Sequence, residues 1–521
     1  MSLVSKFASV GSATMASRVL GFVREALIAG VLGVGPVTDA FYAALRFPNL
    51  FRRLFAEGAF NTAFIPLFAR ELEGGGESAA RRFAEDVLSV LVPVLLLLTG
   101  LAVVAMPVLV ATIIAPGFVS SPEKYDLTVT MTKIMFPYLF CMSLVAMFSG
   151  ILNSMRRYFL AAFTPVLLNI ILIGVLVSAK YLELDGVEAG WWLAWGVFAS
   201  GFIQLGFLYW GVRRTGFSMV IRRAKMTPAV RRLLILMGPA ALTGGVTQIN
   251  LLVGQMIAST QDKAISFLNL ADRMNQLPLG VIGIAIGVVL LPELSRSLKA
   301  GNTADALHLQ NRSLEFSLGL SLPAAVAFMI IPVPLIALIY ERGAFTAVDT
   351  QMTAAALAAF AIGLPAFVLI KVVQPAFFAR EDMKTPMYYS IVAVIINIVF
   401  SLVYFPEYGH VAIALATSVS GWVNFLLLVY SLWRRDLYRP SATTMRRLGL
   451  IVVASTVMGV ALYFSSIWLA GYLSSESFLQ LLGSILGLVV IAMVVYFGIV
   501  LATGAVDRKQ LFGLFKRSKK A

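Results

Sequence analysis

The sequence predicts an all-α polytopic membrane protein: fourteen transmembrane helices in two six-helix lobes related by a parallel pseudo-twofold repeat, plus a C-terminal helix pair. Composition, charge placement and repeated landmarks each point there. Of 521 residues, 59% are hydrophobic and 13% charged, and the mean hydropathy is +0.88. A soluble domain is about half apolar and about a quarter charged. At ~20 residues per span, the chain has room for roughly 12–15 spans. Its apolar runs, such as Leu91–Leu98, are continuous rather than alternating, which favours helices over a barrel.

Helices are expected at about 5–32, 37–70, 83–115, 126–152, 158–180, 188–212, 230–260, 263–296, 306–340, 350–378, 386–405, 409–433, 447–472 and 477–503. The first two carry many charges and the breakers Gly21, Gly30, Gly33, Gly35, Pro36 and Pro48, residues that permit bends and close approach. The third, eighth and ninth exceed a bilayer's need and are expected to tilt or protrude. With a cytoplasmic N-terminus, the cytoplasmic segments hold 29 Lys and Arg residues and the opposite loops only Lys124, Lys180, Lys263 and Arg342. This asymmetry sets an even span count with both ends inside. It also explains the net charge of +15 without nucleic acid.

Several function classes fall away. The single cysteine, Cys141, excludes an intramolecular disulfide and a cysteine metal cluster, and His308 and His410 lie about a hundred residues apart. No nucleophile triad, HExxH motif or P-loop is present, so direct ATP use is not expected. Lys6, Arg18, Arg24 and Glu25 interrupt the N-terminal stretch, which does not resemble a removable signal peptide.

Landmarks recur 221–226 residues apart. I-P-L-F-A-R-E-L at 65–72 matches L-P-E-L-S-R-S-L at 291–298. Pro107 matches Pro332, Thr164-Pro165 matches Thr385-Pro386, and Arg213-Arg214 matches Arg434-Arg435. Each copy holds six helices, an even number, so both insert with one orientation. The organisation expected is therefore an N-terminal lobe 1–214, a basic cytoplasmic linker 215–229, a C-terminal lobe 230–435, additional helices 436–503 and a basic tail 504–521. The final pair, about 447–503, has Glu476 as its only formal charge past Arg447. The tail's basic residues suit retention and anionic phospholipids.

Eight basic residues fall within predicted spans: Arg18, Arg24, Arg46, Arg52, Arg53, Lys133, Arg273 and Lys371, accompanied by Glu25, Asp39, Glu57 and Asp272. A charge at the bilayer centre costs roughly 2.5–3.5 kcal/mol even on the lenient scale, so they face a watery cavity or each other. Arg53 and Glu57 have helical pair spacing. Arg24 with Glu25 and Asp272 with Arg273 are adjacent, point apart, and are not expected to pair locally. Arg46 can snorkel, and Lys133 suits the outer end of its helix. Arg18, Arg24, Arg52 and Arg273 are expected to line one central chamber. Guanidinium groups fit phosphate oxygens with paired hydrogen bonds, so an anionic phosphate or diphosphate cargo is implied.

Specific strings carry a resemblance. Ala16–Glu25 reads A-S-R-V-L-G-F-V-R-E, followed by Thr38-Asp39-Ala40-Phe41 and by P-N-L-F-R-R-L-F-A-E-G-A-F at 48–60. Ala271-Asp272-Arg273 and A-R-E-D-M-K-T-P at 379–386 continue it. Over its whole length the chain resembles the MurJ (MviN) lipid II flippase family of the multidrug/oligosaccharidyl-lipid/polysaccharide exporter superfamily. The resemblance implies a non-enzymatic flippase of the bacterial cytoplasmic (inner) membrane that moves undecaprenyl-diphosphate-linked disaccharide-pentapeptide, lipid II, to the outer leaflet by alternating access. Cell-wall synthesis or division proteins are the partners it implies. The positions matching functional ones are Ser17, Arg18, Arg24, Asp39, Asn49, Arg52, Ser266, Arg273 and Lys371. It also implies a groove for the lipid tail formed by the last helix pair. No cofactor or metal is expected; coupling to the membrane potential or an ion is left open. Some relatives use acidic sodium ligands, but helices 7, 11 and 12 offer only Gln248, Asn250, Gln255, Asn397 and Asn424. The alternatives are a drug or organic-cation antiporter or another polysaccharide-lipid exporter of the superfamily, and a scaffold without transport. A cation exporter needs carboxylates where this chain has arginines.

Overall fold

The structure, a computed structural model, describes residues 3–475 and 477–505, and no strand occurs among them. The chain divides into two compact units: Met1–Ser266 with Arg342–Phe345, and Phe267–Glu341 with Thr346–Ala521. The first unit takes in the helix at 228–258, which the sequence assigned to the C-terminal lobe. Its Gln255 donates to the Ile114 carbonyl at 2.8 Å, a tie that hydropathy does not register.

In unit 1, α1 (Leu3–Leu32) turns at Gly33 into α2 (Pro36–Phe51). Pro36 opens α2 at a position where its missing N–H is harmless. Pro48 sits inside α2, and the helix widens into a π-helix at Arg52–Phe60. α3 (Asn61–Leu109) is two helical stretches joined across a kink at Gly76, inside the predicted loop at 71–82. There Gly74, Gly75 and Gly76 provide a kink, Gly76 adopting φ +71°, a conformation glycine takes without steric penalty. After a π turn at Val110–Ile114 and a 3-10 turn at Pro116–Ser120 come α4 (Pro122–Met135) and α5 (Tyr138–Ser154). The sequence predicts these as one helix; Pro137, lacking an N–H, interrupts the ladder. α6 (Tyr158–Tyr181), α7 (Gly186–Arg213) and α8 (Pro228–Ala258) complete the unit. Asp185 caps α7 through Glu188 N at 2.7 Å.

The linker before α8 is strapped down. Phe217 is buried against Phe68, Glu85 accepts from Val220 N and pairs with Arg222 at 2.8 Å, and Ser89 accepts from Arg222 N. A closer backbone contact lies at Gly117, where an added Cβ would sit 2.3 Å from the Ser259 carbonyl oxygen. Gly117→Ala is therefore expected to push these backbones apart and lower the melting temperature by several degrees, at roughly 1–3 kcal/mol. A variant melting with the wild type would show that the contact relaxes freely.

In unit 2, α9 (Ala264–Lys299, its first three residues counted with unit 1) leads to α10 (Thr303–Ile330) and α11 (Pro332–Tyr340). The predicted helix at 306–340 breaks at Ile331, before Pro332, as steric conflict with proline dictates. α12 (Ala347–Phe378) starts with a capping box of Thr346 and Asp349. α13 (Lys384–Tyr408), α14 (His410–Arg434), α15 (Ala442–Trp468), α16 (Ala470–Leu473) and α17 (Phe478–Thr503) follow. One core joins Leu364, Val368, Val372 and Phe377 of α12 to Leu314 of α10 and Leu428 of α14. A second joins Ile451, Met458 and Leu462 of α15 to Leu488 and Tyr496 of α17. The pair α15–α17 has polar pins on α10: Arg447 and Thr444 meet Glu315 at 3.0 and 2.7 Å, and Tyr496 donates to the Gly319 carbonyl at 2.6 Å. Glu476 and the tail 506–521 lie outside the described residues.

Between α12 and α13, Asp382 is partly buried, which opposes ionisation. Hydrogen bonds from Thr385 N and Oγ1 and the Arg435 guanidinium prevail and hold its carboxyl below the usual carboxylate range. A depressed folded pKa contributes stability above the unfolded value of about 3.9, lost as pH falls through the lower folded value. Wild type should outlast Asp382→Asn at pH 7, and the gap in melting temperature should close below about pH 3. A gap unchanged down to pH 2 would contradict this.

Among the described residues, ten helical segments are long and apolar enough to cross a membrane. They include α6, α7, α10, α12–α15 and α17, and the joined runs Asn61–Ile114 and Pro122–Ser154. The charged α1 and α2 are not among them. The all-helical, multi-span class is as the sequence predicts.

Candidate functional site

In unit 1, Arg24 and Glu25 form an ion pair with side chains 12% and 10% exposed. Consecutive helical residues point about 100° apart, and no local pair was expected. The length of the arginine lets its guanidinium fold back, and neighbours hold it there. Tyr42 donates to Glu25 Oε2 at 2.6 Å, and Arg24 Nη1 donates to Asn169 Oδ1 at 2.9 Å. Asn169 Nδ2 donates in turn to the Ser17 carbonyl at 3.0 Å. Ser17 and Arg24 thus share one network on α1, joined through α6.

A second network surrounds Asp39, which is fully buried on α2. Its Oδ1 accepts from Ser266 N at 3.0 Å and Ser266 Oγ at 2.6 Å. Its Oδ2 accepts from Lys124 Nζ at 2.7 Å and Lys263 N at 2.9 Å. Lys124 is 3% exposed and also reaches Asp262 at 3.3 Å. Two site residues the sequence named, Asp39 and Ser266, are therefore in direct contact. Both are enclosed, and these polar atoms serve each other.

Arg52 opens the π-helix, where Nε donates to Asn49 Oδ1 at 3.1 Å. It borders a cavity of about 850 Å³ lined also by Asn61, Asn153, Arg156 and Tyr158, over a floor including Met142 and Val145. Arg18 is half-buried on α1, with no hydrogen bond or ion pair among the described residues. In unit 2, Arg273 is half-buried on α9, likewise without such a partner among the described residues. Asp272 beside it accepts from Gln276 Nε2 at 2.5 Å, so that adjacent pair stays apart as expected. Lys371 is exposed on α12 and lies over Gly283, whose added Cβ would meet Nζ at 2.6 Å. Lys133 is half-buried on α4 and Arg46 half-buried on α2. The Glu57 side chain, the expected partner of Arg53, lies outside the described residues.

Lys124, Asn169 and Tyr42 were missed. Lys124 was counted as a loop charge, yet it is one of only four basic residues on its side of the predicted membrane. Asn169 was visible as a lone amide in V-L-L-N-I-I-L; in an apolar span such a group needs a partner. Of the amides weighed for ion coupling, Asn397 instead donates to Thr417 and Ser420. No cluster of metal-ligating side chains occurs among the described residues.

The chain matches a family profile described as "Lipid II flippase MurJ" over residues 28–484. A probable lipid II flippase MurJ of Rhizobium tropici is 51% identical, with 100% of this chain and 98% of that protein covered.

The chain belongs to the MurJ family.

A second relative, the lipid II flippase MurJ of Burkholderia cenocepacia, is 35% identical over 90% of this chain and 91% of its own. Among solved structures, a MurJ in an inward closed conformation gives a TM-score of 0.78 at 26% identity, over 94% of this chain and 97% of that one. An inward-facing MATE multidrug transporter of the MOP superfamily gives 0.66 at 15% identity, over 82% and 98%, a likeness of fold alone. MurJ family proteins are transporters, not enzymes.

Proposed function

We propose that this chain flips lipid II, the undecaprenyl-diphosphate-linked disaccharide-pentapeptide, from the inner to the outer leaflet of the bacterial cytoplasmic membrane by alternating access. The observation that carries this is 51% identity across the whole chain to a probable lipid II flippase. The chemistry is consistent with it. In unit 1, Arg18 and Arg52 offer guanidinium groups suited to a diphosphate, with Ser17 and Asn49 as hydrogen-bonding company; in unit 2, Arg273 and Lys371 offer the same kind of cationic donors. Arg24 enters already neutralised by Glu25 and serves as a positioned donor. Asp39 and Ser266 hold the backbone around the site. The fourteen spans, the two repeated lobes and cytoplasmic termini belong to the same proposal, supported by the Lys and Arg asymmetry. So does a tail groove along α15 and α17, whose outer faces expose Val453, Phe464, Leu486 and Val490. The driving force is assigned to the membrane potential or an ion, and cell-wall synthesis or division proteins are the partners proposed. An organic-cation antiporter is disfavoured by the arginines.

Depletion tests the proposal. Lipid II should accumulate in the inner leaflet within a generation, read with a leaflet-specific probe, before growth stops. Normal lipid II turnover in depleted cells with no redundant flippase would overturn it.

A further inference from the structure

Arg156 borders the same unit 1 cavity as Arg52, yet neither the charges in predicted spans nor the family strings single it out. It follows α5 with φ +61°. That left-handed position is the one glycine fills freely and a branched-off side chain fills at a steric cost. Arg156 lines the cavity while remaining exposed, and its side chain has no hydrogen bond or ion pair among the described residues. The corresponding turn of unit 2, between α12 and α13, differs. There the left-handed position, φ +62°, is held by Glu381, a carboxylate where unit 1 has a guanidinium.

The rest of the lining is suited to more than a bare anion. Asn61 Oδ1 is buried without a hydrogen-bond partner among the described residues and borders the cavity with Asn153 and Tyr158. A buried amide oxygen left unpaired is costly, and a ligand hydroxyl or acetamido N–H would satisfy it. About 850 Å³ lies within the range of pockets that hold small molecules and exceeds what one phosphate needs. Two arginines match the paired charges of a diphosphate.

We infer that Arg156 is a further phosphate-binding residue beside Arg52 in this cavity, and that Asn61 is an acceptor for the sugar of the same lipid-linked glycosyl diphosphate. This rests on the lipid II reading above. A phospholipid phosphate shares part of the chemistry, and the test separates the two.

The experiment uses the full chain in nanodiscs of zwitterionic lipid, titrated separately with lipid II, undecaprenyl diphosphate and phosphatidylglycerol. Arg156→Gly is the informative variant, because the backbone there favours glycine and folding should be preserved. It should weaken lipid II and undecaprenyl diphosphate roughly ten-fold or more, the loss of a charge-assisted bond, at an unchanged melting temperature. Arg156→Lys should recover part of this, and Arg157→Ala, one residue away and off the cavity, should bind as wild type. Asn61→Ala should weaken lipid II but not undecaprenyl diphosphate. Wild-type affinity in Arg156→Gly overturns the inference, as does an equal loss in Arg157→Ala, which would mean loop charge rather than a site. Loss of phosphatidylglycerol alone would make the cavity a phospholipid site. If wild type itself does not bind lipid II, the flippase reading fails; if wild type binds and Arg156→Gly binds equally, only this inference fails.

Discussion

Arg24→Ala is expected to abolish growth of cells that depend on this chain, at normal protein levels, with Arg24→Lys restoring only part. One point charge does not replace a two-pronged donor. The structure makes the test sharper than charge removal alone. Arg24 is the counter-ion of Glu25, and removing one partner of a buried pair costs about 3–5 kcal/mol. A dead Arg24→Ala protein could therefore be only an unstable one. The double variant Arg24→Ala with Glu25→Gln removes the stranded charge and should recover most of the lost stability. If the guanidinium contacts cargo, transport stays absent in that stable double variant; restored transport would show that the pair is only structural. Arg273 is the companion case. It has no hydrogen-bond or ion-pair partner among the described residues, so Arg273→Ala should lose transport with almost no change in melting temperature. Full activity there would show that its charge is not used.

The largest stability loss is expected at Asp39. Asp39→Ala leaves the Lys124 ammonium with only the exposed Asp262 at 3.3 Å and strands two backbone N–H groups and the Ser266 hydroxyl, all donors to one enclosed carboxylate. Breaking the buried pair alone costs about 3–5 kcal/mol, and each further unsatisfied group adds about 1–3 kcal/mol where water cannot reach it. Asp39→Asn keeps one acceptor oxygen and should fall between alanine and wild type. Lys124→Met should cost less than Asp39→Ala, because Asp39 retains three other donors. The order of melting temperatures in detergent, wild type above Lys124→Met above Asp39→Ala, checks the assignment. Asp39→Ala melting with the wild type would be incompatible with the network.

Much of the fold was legible because a bilayer simplifies the problem. Water is absent from its core, so long apolar runs must be helices that satisfy their own backbone, and α6, α7, α12–α14 and α17 lie within a few residues of their predicted limits. The errors fall where local chemistry competes with hydropathy. The break predicted between the second and third helices is present at Gly76, but helix continues almost up to it from both sides, so the non-helical stretch is far shorter than the predicted 71–82. Pro137 and Pro332 lie in runs apolar enough to read as single helices, and each breaks one.

The site divides along the same line. The sequence by itself determined that arginines would occur where lipid cannot tolerate them, since insertion cost depends on residue type and position along a span. It also carried the family strings, which are one-dimensional. Only the tertiary structure decided which charges are spent. Glu25 neutralises Arg24, and Lys124 leaves its apparent loop to meet Asp39, while Arg18 and Arg273 have no such partner among the described residues. Pairing is set by distances between helices far apart in the chain, 85 residues for Asp39 and Lys124 and 145 for Arg24 and Asn169. Helical periodicity relates only residues three or four apart, so it carries no information on which distant groups meet.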